Sequence, residues 1–180
     1  MGFDIKLFRL LNGIGIFITG AMLLFSLLGM LQSGDLLIFM PLLFLGGTFY
    51  HGILAGSLRK SLQYPEVPLK DSTLVRLQAL SFFPIMIGLV VISSVTKLND
   101  PEIRDMLVSG LEKQAAEQKQ TLPDGYLYSV LNFGQIMMTT YGVILIGNAV
   151  LAMFYMKQWK DRQEEKDHKD QQEGQDDIGI

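Results

Sequence analysis

Four stretches of the chain run for twenty positions or more without a charged residue: 10–31, 36–57, 77–96 and 125–156. A bilayer core about 30 Å thick is crossed by about 20 helical residues, each rising ~1.5 Å, and a helix satisfies all its backbone amides internally. The pattern therefore predicts an all-α membrane protein, a bundle of four transmembrane helices. The last and longest stretch holds its span over 133–156.

The segments between the spans are polar and differ in kind. The first, 32–35, is a short turn. The second contains Pro65 and Pro68, which cannot continue a helix, so it reads as an extended connection leading to Asp71 or Ser72 as the next N-cap. The third is long and carries a helix of its own over 101–119. Asp100 is placed to cap its free amides, and Pro101 needs no amide at the first helical position. Ile103, Met106, Leu107, Leu111 and Ala115 recur on one face of that helix and the charged residues lie largely around the rest, which makes it amphipathic and predicts that its apolar stripe docks on the bilayer surface or the mouths of the spans. Leu122, Pro123, Asp124 and Gly125 form a stop and turn. Helix then resumes near Tyr126 and runs unbroken through the membrane. Residues 1–160 form the transmembrane domain. Residues 161–180 form an acidic tail, helical briefly and then disordered.

Charge adds an orientation. Lys and Arg collect in cytoplasmic segments. Lys6 and Arg9 precede the first span, Arg59, Lys60, Lys70 and Arg76 lie between the second and third, and five more basic residues follow the fourth. The 97–132 loop has four, diluted among six acidic residues. Both termini are thus expected in the cytoplasm of a multi-pass cell-membrane protein, and the amphipathic helix lies in the second non-cytoplasmic loop. A net charge of −3 gives no basic footprint for nucleic acid. The absence of cysteine removes disulfides, thiolate metal sites and thiol catalysis.

Polar residues inside the spans are the candidates for function. His51 shares a face of the second span with Gly47, Thr48 and Ala55, and an intramembrane ionisable group is a functional hypothesis by default. Asn148 lies well inside the fourth span and aligns at seven-residue spacing with Gly134, Tyr141 and Tyr155. Met138, Leu145 and Ala152 complete that seam. Small residues, among them Gly52 and Gly56, permit close helix approach. Pro41 and Pro84 can bend their helices. In the tail, Glu164, Glu165, Asp167, His168 and Asp170 read as a solvated charge run rather than a metal site.

No span carries Asp, Glu, Lys or Arg well inside its ends, and no nucleotide-binding, metalloprotease or serine-hydrolase motif is present. The sequence therefore points to a non-enzymatic protein without cofactor or metal. It reads as a scaffold or accessory subunit of a membrane complex, its partners being the lipid bilayer and another membrane protein or a second copy of itself. The alternative is an oligomeric small-molecule carrier or channel lined by Thr48, His51, Gln135, Thr140 and Asn148.

Overall fold

The computed structural model describes residues 3–34, 37, 39–64, 66–119, 123 and 125–176. Six α-helices follow one another: α1 (Phe3–Ser33), α2 (Phe39–Gln63), α3 (Asp71–Leu80), α4 (Phe82–Lys97), α5 (Pro101–Glu117) and α6 (Tyr126–Asp176). No strand occurs among the described residues. Four helical stretches are long and apolar enough to cross a membrane: Ile5–Ser33, Phe39–Gln63, Asp71–Lys97 and Tyr126–Lys166. The expected stop at residues 122–125, the start of the second expected span at residue 36 and the last four residues of the tail lie partly or wholly outside the described residues.

The spans alternate in direction. Along the α1–α6 contact, Phe8 meets Tyr155, Asn12 meets Asn148 and Thr19 meets Tyr141, so one number falls as the other rises. The same holds for α1 with α2, where Asn12 lies at Gly52 and Gly20 at Phe49. The pairs Phe44–Phe83 and His51–Ser81 join α2 to the third span. Gly88–Gly142 and Asn99–Gln135 join the third span, with the turn that follows it, to α6. The start of α1 and the C-terminal part of α6 therefore lie toward one end of the bundle.

That end holds the main core. Phe8, Leu54, Ala55, Leu58, Leu62, Leu74, Leu77, Ala152, Tyr155, Met156 and Trp159 form one buried cluster, with the rings of Phe8 and Tyr155 5.0 Å apart. Lipid is as apolar as these side chains, so any of them placed in a bilayer would contribute packing contact rather than escape from water.

The third span is two helices. Pro84 lacks an amide and its ring clashes with the carbonyl four residues earlier, so the ladder breaks just before it. Ser81 sits at the break with φ −60° and ψ −20°, its amide shared between the carbonyls of Leu77 (3.0 Å) and Gln78 (3.3 Å). The break splits a helix that begins at Asp71, six residues before the uncharged run. The N-cap is Lys70, and no side chain caps it, contrary to the expectation for Asp71 or Ser72.

Where α4 crosses α6, backbones nearly touch. A Cβ built on Gly88 falls 2.8 Å from the Gly142 carbonyl oxygen, and one on Gly142 falls 3.0 Å from that of Gly88. Ile92 and Ile146 fill the space either side, each within 2.8 Å of the opposing glycine's missing Cβ. Only glycine allows this approach.

Asp100 caps α5 as its sequence requires, accepting from the Glu102 amide at 3.0 Å. The helix is tied to α6 by polar groups: Tyr128 donates to Asp105 at 2.8 Å, and the Arg104 guanidinium bonds Asn132 and lies over the Tyr128 ring. Val108 is its buried residue. Met106, Leu107 and Leu111 are exposed, so the apolar stripe does not cover the mouths of the spans as one expectation had it; the side carrying Arg104 and Val108 turns inward instead. Past the bundle α6 continues as helix to Asp176, well beyond the short extension expected for the tail.

Candidate functional site: a buried polar layer

Three helices meet through two amides. Asn12 donates its side-chain amide to the Gly52 carbonyl at 3.0 Å, which fixes the orientation of that amide because a carbonyl only accepts. Its oxygen then accepts from Asn148 Nδ2 at 2.9 Å. Asn12 and Asn148 are both buried, and the Asn148 Oδ1 has no partner among the described residues. Seven residues from each, toward the opposite end of the bundle, Thr19 and Tyr141 share a hydrogen bond of 2.8 Å.

A second connection links α2 to the break in the third span. Ser81 donates its single hydroxyl proton to the Leu77 carbonyl at 2.8 Å. Its oxygen, 3.2 Å from His51 Nε2, is then left to accept, so the neutral ring carries its proton on Nε2 and presents Nδ1 as a bare acceptor. That Nδ1 and the Thr48 hydroxyl one turn away have no hydrogen-bond partner among the described residues, and both residues are buried.

The expected residues thus divide. Thr48, His51, Tyr141 and Asn148 lie in the bundle interior. Gln135 and Thr140 do not join them. Gln135 Nε2 donates to Asn99 at 3.4 Å and Thr140 donates to the Ile136 carbonyl at 2.8 Å, beside a surface recess shared with Val95 and Thr139. The seam on α6 is buried at Tyr141, Leu145, Asn148, Ala152 and Tyr155 but not at Met138, which is 41% exposed, and a Cβ on Gly134 would touch nothing. The packed seam therefore begins at Tyr141.

No family model, curated protein or solved structure matches the chain. The residues themselves have to carry the functional reading.

Sequence reasoning missed Asn12, Thr19 and Ser81. Asn12 lies at the third position of its uncharged run, where a polar residue reads as interfacial. Ser81 gains its role from the Pro84 break, and proline in the same span was the available signal. Toward the start of α1, Trp159 donates to Ser61 at 3.2 Å and Ser61 donates to the Val67 carbonyl at 2.8 Å, strapping the connection between α2 and α3 onto α6. Arg162 reaches the Leu62 carbonyl at 3.3 Å. Among the described residues no three His, Asp or Glu side chains are grouped as metal ligands.

Proposed function

We propose that this chain is a non-enzymatic component of a membrane complex, a scaffold or accessory subunit. It would sit in the cell membrane with both termini in the cytoplasm and α5 in the second non-cytoplasmic loop. The observation that supports this reading is how the interior polar groups are spent. Asn12, Asn148, Thr19, Tyr141, His51 and Ser81 are buried and each bonds to another of them or to a backbone carbonyl, while Thr48 Oγ1, His51 Nδ1 and Asn148 Oδ1 have no partner among the described residues. Such bonds hold helices together. A solute pathway needs its polar residues to converge on one water-filled cavity, and the five proposed lining residues fall into two separate groups. The apolar stripe of α5 and the charged extension of α6 are the surfaces left for partners or for the bilayer surface.

The experiment is a pair of measurements on the tagged full-length chain. Solubilised in mild detergent, it should carry a membrane protein that, when itself tagged, recovers this chain in return. Reconstituted alone in vesicles, it should leave the permeability to small uncharged solutes unchanged. Selective solute flux with no reciprocal partner would replace this reading with the carrier.

A further inference from the structure

α1 and α6 pack together near the termini and part at the other end, while the third span stays on α6 through Gly88–Gly142 and Asn99–Gln135. Among the described residues Thr19–Tyr141 is the last side-chain bond joining α1 to α6 in that direction, and Met138, one turn beyond Tyr141, is already exposed. In the same half of the bundle lies a cleft of about 430 Å³ between α1, α2 and α4. Its walls include Met22 of α1, Pro41 and Phe44 of α2, and Met86 and Val90 of α4. Every residue lining it is apolar. Its lower wall is Phe44 and Leu45; on the same helix one turn further lies buried Thr48, so the cleft ends where the polar layer begins.

We propose that this cleft binds a single aliphatic chain, the tail of a membrane lipid. Three observations choose that occupant. The walls offer no hydrogen-bonding side chain, so a polar ligand there would lose its water without compensation. The cleft is lined by three helices long and apolar enough to cross a membrane, and Met22 and Val90 in its lining are exposed. Finally, its volume equals only about one turn of a helix ~10 Å wide and 5.4 Å in pitch, too little to seat a span from another protein or a second copy. It still falls in the ~300–1,000 Å³ range of small-ligand sites. Met22, Met40 and Met86 have unbranched, adaptable side chains that fit chains of differing shape.

The test uses the full chain in phosphatidylcholine vesicles doped with a phosphatidylcholine that carries a diazirine in its acyl chain. After irradiation, adducts are mapped by peptide mass spectrometry. Adducts at Met22, Met86 and Val90 should exceed, several-fold per residue, those at the exposed Phe17, Val143 and Val150, which do not line the cleft. Two filling variants, Val90→Trp and Met22→Phe, should each abolish the excess while labelling at Val143 persists; persistence there also reports that the variant has inserted. Uniform labelling at all exposed positions would overturn the proposal, as would an excess that survives both fillings. Labelling of Met22, Met86 and Val90 below that of Val143 would likewise overturn it in favour of a protein occupant that shields the cleft.

Discussion

Asn148 donates its amide to Asn12 across 136 positions of sequence, and Asn12 passes its own to the Gly52 carbonyl, so one residue of α1 joins the second and last spans. Interhelical bonds of this kind are worth about 0.6–2 kcal/mol, because separated helices also find partners. Asn148→Leu and Asn12→Leu should each lower stability by roughly that amount in a denaturant titration in detergent. The double variant should lose less than the sum, since each single change strands the other amide. Strict additivity would mean the two side chains do not interact.

Gly88 and Gly142 leave no room for a methyl group. Gly142→Ala places a carbon 3.0 Å from the Gly88 carbonyl and closer still to Ile92, and overpacking of this sort costs about 1–3 kcal/mol. Gly134→Ala, whose Cβ meets nothing, is the control on the same helix. The midpoint of thermal unfolding should fall for the first and stay or rise for the second. Equal midpoints would contradict the crossing described.

Ser81→Ala removes the acceptor for His51 Nε2 and leaves a buried donor unpaired, a loss of about 1–3 kcal/mol. Because Ser81 also returns its proton to Leu77 at the break, Ser81→Thr, which keeps the hydroxyl, should lose less. Thermal midpoints of the two variants in one detergent give the comparison. A more damaging Thr would point to volume, not hydrogen bonding, as the constraint at this position.

The orientation is open to direct labelling, since the chain has no cysteine of its own. With a membrane-impermeant thiol reagent added to intact cells, a cysteine at Lys113 should react and one at Gln172 should not. The opposite pattern would invert the topology.

Arg104 ties α5 to α6 through Asn132 and the Tyr128 ring. Arg104→Ala should free the helix, seen as faster hydrogen exchange of the amides over residues 103–115 with α6 unaffected beyond residue 132. Unaltered exchange would show that Val108 alone is a sufficient anchor.

The four spans were legible because hydrocarbon imposes length and apolarity on each helix separately, and such constraints can be read one segment at a time. Asn148 declared itself for the same reason: an amide far inside a span has to turn inward. Its partner did not. Periodicity says which face of α6 is buried and nothing about which helix lies opposite, so the choice of Asn12 was invisible. The heptad pattern continues through Met138 and Gly134, yet this seam stops being packed at Tyr141, because where α1 and α6 part is a property of the assembly and not of either strip of sequence. A helix starting near Asp71 or Ser72 was legible, but its separation from α4 at Ser81 was not, because Pro84 signals a bend without saying whether the ladder is interrupted. Leu74 joins Leu77 in the core.

The Asn12 contacts also set an order of events during synthesis. Its donor side meets Gly52, 40 residues later, as soon as α2 is in place, but its acceptor side waits for Asn148, a further 96 residues along the chain. At ~5–20 residues per second, about 5–20 s of elongation separate the two. Through that interval the nascent protein holds an amide oxygen in hydrocarbon with its final donor still unmade, and a chain cut short before α6 holds it permanently. The first span thus stays chemically unfinished until the fourth one arrives, so the bundle closes only once all four have been made.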